Sequence, residues 1–227
     1  MTAKTISKEE LKQPDSFQRF FDRLAIWAKK NAKNLWIGLI VCGLAVTAVL
    51  VQNQKNKRMN QEAANAYIKV IESLPLDTEQ PSEEAWNKFA DATENYIDQY
   101  KSSTMAPLMM MHRAKALLHT KKYEEATKVY QNAQTRLAFP YNLMAQEGEA
   151  LSYQFQEKYD QSLSIWQKLV AKEDNPFKDY HLWNLGLNLE KTGKPADAMQ
   201  VYDQIIADFA DSAFLAKAKM QKTLLEK

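Results

Sequence analysis

Three stretches of the chain fall into register when the sequence is shifted by 36 residues: KKYEEATKVYQNA from Lys121, EKYDQSLSIWQKL from Glu157 and GKPADAMQVYDQI from Gly193. Ala126, Ser162 and Ala198 are the small residues of the set, and Tyr130, Trp166 and Tyr202 stand four positions later. Ala133, Leu169 and Ile205 follow after three more. Steps of four and three put each trio on one helical face. Twelve residues before each small residue stand Ala114, Ala150 and Gly186, each followed three later by Leu117, Tyr153 and Leu189. Each period therefore reads as a helical hairpin. Its small residues let two helices approach, and its aromatic fills the gap toward the next hairpin. Lys122, Lys158 and Lys194 occupy the short turns, while Pro140 and Pro176, also 36 apart, break the chain between hairpins. One hairpin cannot bury its apolar face, so stacking must build the core. Five Gly and seven Pro in 227 residues suit this all-α class.

The pattern resembles the tetratricopeptide repeat (TPR), whose period is about 34, with small residues at its eighth and twentieth positions and an aromatic at its twenty-fourth. The resemblance implies units at 107–140, 143–176 and 179–212. The third matches best, through Leu185-Gly186, Ala198 and Tyr202. A degenerate hairpin is expected over 57–102, from NQEAANAYIKVIESL through a loop bounded by Pro75 and Pro81 to WNKFADATENYIDQYKSS. Ser82 with two following glutamates starts its second helix. AFLAKAKMQKTLLEK, within 213–227, reads as the capping helix. In such arrays, first-helix positions two, five, nine and twelve line the concave face. Here these are Leu108, Met111, Lys115 and Leu118; Met144, Glu147, Leu151 and Gln154; and Tyr180, Trp183, Leu187 and Glu190. The set is mostly apolar, and the flexible side chains of the run Leu108-Met109-Met110-Met111 suit a groove for varied protein partners. Alternatively, the AANAY helix or the capping helix fills that groove from within.

Ahead of the array, LWIGLIVCGLAVTAVLV at residues 35–51 carries no charge and no proline. Seventeen residues at about 1.5 Å each reach roughly 26 Å, enough to cross a hydrocarbon core. A core helix of a soluble domain would show a polar stripe. A cleaved signal would follow a shorter basic start than these 34 residues. The lone cysteine, Cys42, follows Leu39-Ile40-Val41 rather than the small residue of a lipoprotein signal, and one cysteine excludes an internal disulfide. The run, taken as 35–52, is expected to be a single membrane anchor.

Residues 1–34 carry eight Lys/Arg against four Asp/Glu, whereas residues 52–227 carry 22 against 24. The basic tail puts the N-terminus in the cytoplasm and residues 55–227 outside it. A faintly acidic body lacks the basic face a nucleic-acid binder needs. After Pro14-Asp15-Ser16, the residues Phe17, Phe20, Phe21, Leu24, Trp27 and Ala28 fall three and four apart among Arg19, Arg23, Lys29 and Lys30. This amphipathic basic helix suits an anionic membrane face, or packs on a partner or on the protein itself.

His112, His119 and His181 show no metal-ligating spacing, and neither a nucleophile elbow nor a phosphate-cradling loop is present. The histidines are expected to be solvated or partly packed. No enzyme, cofactor, metal or small-molecule substrate is expected. The order of parts (basic tail, one span, an Ala-rich helix bearing AANAY, repeat hairpins) resembles the ancillary SecYEG translocon subunit family, the YfgM-like proteins. That resemblance implies a bacterial inner-membrane protein with a periplasmic repeat domain. Its implied partners are the translocon, a periplasmic chaperone or exported clients. Related repeat domains also occur in a periplasmic cell-division coordinator, which keeps a fixed-partner role open.

Overall fold

The computed structural model describes residues 16–74 and 81–226. Residues 1–15 of the basic tail, with Pro14 and Asp15 among them, and Pro75 lie outside the described residues. Among the described residues all regular structure is helical. In chain order the helices are α1 Ser16–Lys30, α2 Ala32–Glu72, α3 Glu83–Gln99, α4 Ala106–His119, α5 Tyr123–Arg136, α6 Tyr141–Phe155, α7 Tyr159–Val170, α8 Lys178–Lys191, α9 Pro195–Asp208 and α10 Leu215–Leu225. Contacts group the chain into two units, Met1–Lys57 and Arg58–Lys227.

The first unit holds α1 and the apolar part of α2. Every side chain from Leu35 to Val51 is exposed, so this stretch is not the core helix of a soluble domain. It is long and apolar enough to cross a membrane. Its Thr47 hydroxyl donates to the Gly43 carbonyl at 2.8 Å, leaving no polar group of that side chain unmet.

The second unit begins within α2, which runs unbroken through AANAY. Ala63 is fully buried there, and its carbonyl accepts from the Tyr96 hydroxyl of α3 at 2.8 Å. Met109 of α4 closes the same cluster. Ser82 caps α3 by accepting from the Ala85 amide at 3.2 Å, with Glu83 and Glu84 in the first turn. The end of α2 and α3 thus form the first hairpin, and AANAY stacks beside α4.

Three further hairpins follow: α4–α5, α6–α7 and α8–α9. Helix starts fall one or two residues ahead of the repeat frame; Pro107 fits inside the first turn of α4 because its missing N–H is not needed there. Ala126, Ser162, Ala198, Ala133, Leu169 and Ile205 are all fully buried. Tyr153 departs from its equivalents Leu117 and Leu189: it is half-buried, its hydroxyl accepting from Gln131 at 3.3 Å. The aromatics divide as well. Trp166 meets Tyr180 and His181 of the next hairpin, and Tyr130 covers Gly148 of the next hairpin. Tyr202 instead lies on Gly186 and Trp183 of its own hairpin.

The three hairpin turns share one backbone design. Lys121, Glu157 and Gly193, 36 residues apart, have φ of 59°, 59° and 71°. The next amide donates back across the turn in each case: Lys122 to Leu117, Lys158 to Tyr153 and Lys194 to Leu189, at 2.8, 2.9 and 2.8 Å. This is the Schellman closure, in which one left-handed residue reverses the chain and satisfies the orphan carbonyls.

Candidate partner-binding face

The first helices α4, α6 and α8 carry all twelve residues expected to line the groove, and none of them falls in the fully buried core; nine of them, all but Glu147, Gln154 and Glu190, are the candidate binding residues. They divide into two kinds. Met111 and Leu118 pack on the cluster around Met110, Ala114 and Tyr130. Leu151, Tyr180 and Trp183 pack on the cluster around Trp166, Leu182 and Tyr202. Leu108, Lys115, Met144 and Leu187 are half-buried or exposed and belong to neither cluster. Each of the three helices therefore presents both anchored and unclustered side chains on the face.

Helix α10 shapes the C-terminal end of this face. Phe214, at its N-cap, stacks on Trp183 with centroids 6.0 Å apart and meets Tyr180 at 5.7 Å. Gln221 donates to Glu190 at 2.8 Å, and the Tyr202 hydroxyl donates to the other oxygen of that carboxylate at 2.5 Å. Burial first, and then this carboxylate, push the Tyr202 hydroxyl well above its ordinary pKa. Trp183 is consequently held between Tyr202 and Phe214 rather than projecting alone.

Between α6 and α8 lies a polar network that the repeat frame did not reveal. His181 is fully buried, a correction to its reading as solvated or partly packed. Its Nε2 lies 2.6 Å from Glu147 Oε1, and its Nδ1 lies 2.7 Å from Asn175 Nδ2. Asn175 also donates to the Leu169 carbonyl at 2.8 Å and accepts from the Phe177 amide at 2.9 Å, which fixes its amide orientation. The network thus assigns a proton to Nε2, donated to Glu147, and leaves Nδ1 as acceptor. Burial and the Glu147 carboxylate together raise the Tyr180 hydroxyl.

At the other end of the array the Tyr67 hydroxyl lies 2.7 Å from His112 Nε2, joining α2 to α4. His119 stacks flat on Trp86 of α3, with centroids 3.9 Å apart. Burial lowers the pKa of both histidines, with Lys115 adding to it. These partners are aromatic packing contacts. Among the described residues no three metal-ligating side chains come together.

A family model described as tetratricopeptide repeat matches residues 148–213, from the middle of α6 to the residues just past α9. Among solved structures, the nearly identical TPR-like repeats of a candidate kinesin light chain from Podosopora anserina are similar at 12% identity and a TM-score of 0.56. The match covers 75% of this chain and 86% of that one. No curated protein matches significantly. Repeat register, turn geometry and these likenesses agree on one fold, an all-helical TPR-like array preceded by a helix apolar enough to span a membrane.

Proposed function

We propose that the chain is a protein-interaction scaffold tethered to the bacterial inner membrane. Residues 1–34 form a basic cytoplasmic tail, residues 35–52 the span, and residues 55–227 a periplasmic repeat array. Its work is to hold an exported client, or a chaperone partner, near the Sec translocon. The observation that carries this reading is the face of α4, α6 and α8. Half-buried apolar side chains there run across three successive hairpins, which suits an extended polypeptide better than a compact small molecule. The exposed apolar stretch of α2 and the internally bonded Thr47 hydroxyl support the tether. The order of parts supports the translocon neighbourhood by resemblance to the ancillary subunit family. Binding of this kind asks no catalysis of the array.

Topology and partner can be tested together. Protease added to spheroplasts should digest the array and spare the tail, and affinity capture from solubilised membranes should recover translocon or chaperone proteins. Digestion of the tail alone would overturn the orientation.

One observation favours a second reading, a coordinator with a fixed partner. Trp183 is set in place by Phe214 and Tyr202 before any partner arrives, and such preorganisation suits one defined ligand. Capture dominated by a single envelope protein would select it.

A further inference from the structure

Apart from Ile26, which lies beside Arg19 and Lys30, helix α1 places its large apolar and its basic residues on different arcs. Phe17, Phe21, Leu24 and Ala28 form a row three and four residues apart, flanked by Phe20 and Trp27, while Arg19, Arg23 and Lys30 lie on the far side. The large members of this row are exposed, Phe17 by 67% and Phe21 by 49%. The helix stops at Asn31, whose side-chain amide donates to the Trp27 carbonyl at 2.8 Å in competition with its own backbone amide at 3.0 Å. Such competition bends helices. A hollow of about 320 Å³ lies beside this break, lined by Ala28, Lys29, Ala32, Leu35, Trp36 and Leu39. The hollow forms where the small side chains of Ala28 and Ala32 lie among the larger Lys29, Leu35, Trp36 and Leu39 on one side of the chain. The apolar row of α1 runs through Ala28 into Ala32, Leu35 and Leu39, and so continues along that hollow.

We propose that α1 is an interfacial helix that recognises anionic phospholipid. It lies on the leaflet from which α2 enters, with the Phe17–Ala28 row in the acyl boundary and Arg19, Arg23 and Lys30 at the headgroups. The inference rests on the reading of residues 35–52 as a span. If that stretch is in the bilayer, Lys30 is five residues from hydrocarbon, so α1 begins at the interface. A bend at Asn31 toward the hollow lays the apolar row on lipid, and the row is on the side of the hollow. A net charge of +3 over α1 (Arg19, Arg23, Lys29 and Lys30 against Asp22) selects negative headgroups.

The test uses the full chain with Cys42→Ser and a single nitroxide at Phe21→Cys, Asp22→Cys or Leu44→Cys. It is reconstituted in phosphatidylcholine vesicles with or without phosphatidylglycerol. With phosphatidylglycerol, positions 21 and 44 should be open to oxygen and closed to a water-soluble nickel chelate, and position 22 the reverse. Replacing Arg23 and Lys30 by Gln should cut the docked-to-undocked ratio at position 21 roughly 10–30-fold, from about 1 kcal/mol per basic residue at an anionic surface. Asn31→Ala should extend the helix through the break at Asn31 and lift position 21 into water. Position 21 open to the chelate in both lipids, or closed to both reagents as in a protein contact, would overturn the proposal while position 44 stays in lipid. Lipid contact at position 21 that ignores phosphatidylglycerol would overturn the headgroup assignment. Position 44 open to the chelate would instead overturn the span.

Discussion

The ring of Tyr202 occupies the space that a side chain on Gly186 would need: a Cβ at position 186 would overlap Cε1 and Cζ of that ring. The ring cannot yield readily, because it is fully buried and its hydroxyl is bonded to Glu190. Gly186→Ala gains about 0.5–1 kcal/mol of helix propensity but forces an overpacked contact costing about 1–3 kcal/mol. The loss should win, and thermal melting of the soluble array should show it. Ala198→Trp, at a fully buried helix contact of the same hairpin, should cost at least as much; an unchanged melting temperature would refute the repeat register.

The left-handed turns predict the opposite sign. Lys121 and Glu157 hold φ of 59°, where the third turn has Gly193. A side chain there is strained by about 1–2 kcal/mol, partly offset by the extra freedom glycine gives the unfolded chain. Lys121→Gly and Glu157→Gly should each stabilise the array by about 0.5–1 kcal/mol, and Gly193→Ala should destabilise it.

Ser162 stands where its equivalents are Ala126 and Ala198, fully buried, with no hydrogen-bond partner for its hydroxyl among the described residues. Burying an unpaired hydroxyl costs about 1–3 kcal/mol. Ser162→Ala should therefore raise the denaturant midpoint without changing the slope.

Much of this fold was legible because a repeat shows each structural demand three times. The buried trios and the Schellman turns all lie at the 36-residue spacing. What the spacing could not show is what happens only once. Phe214 stacks on Trp183 of the third hairpin alone, and nothing in the 36-residue spacing marks it as the stacking partner. The Asn175–His181–Glu147 network joins residues from two hairpins, and its amide orientation depends on a carbonyl of α7. His181 therefore read as an ordinary exposed-or-packed histidine. The face residues were legible as positions, but not their division into anchored and unclustered side chains.

Acid should loosen the N-terminal hairpins first. Folding lowers the His112 and His119 pKa values below their ordinary 6.5, chiefly through burial. Below about that pH the unfolded chain takes up protons that the fold resists. Stability from these sites is thus fully present above 6.5 and falls as pH drops toward the lowered values. Melting of the wild-type array should decline over that window. His112→Gln should flatten the decline.

Trp183 should affect stability and binding at once. It is half-buried between Tyr202 and Phe214, so Trp183→Ala should cost about 2–3 kcal/mol of stability, below the roughly 3–5 typical of a fully buried ring. If it is also a binding anchor, partner affinity measured below the melting transition should fall by about 2 kcal/mol. Binding retained at low temperature would remove Trp183 from the binding face.

The central claim is that the face of α4, α6 and α8 holds another polypeptide beside the membrane. Photo-crosslinkers at Leu108, Met144 and Leu187 in the full chain, irradiated in intact cells, test it most directly against controls at Ser164 and Gln200 on the second helices. Protein adducts are expected from the three face positions and none from the controls. Adducts from the controls alone, or equal adducts from both sets, would contradict it.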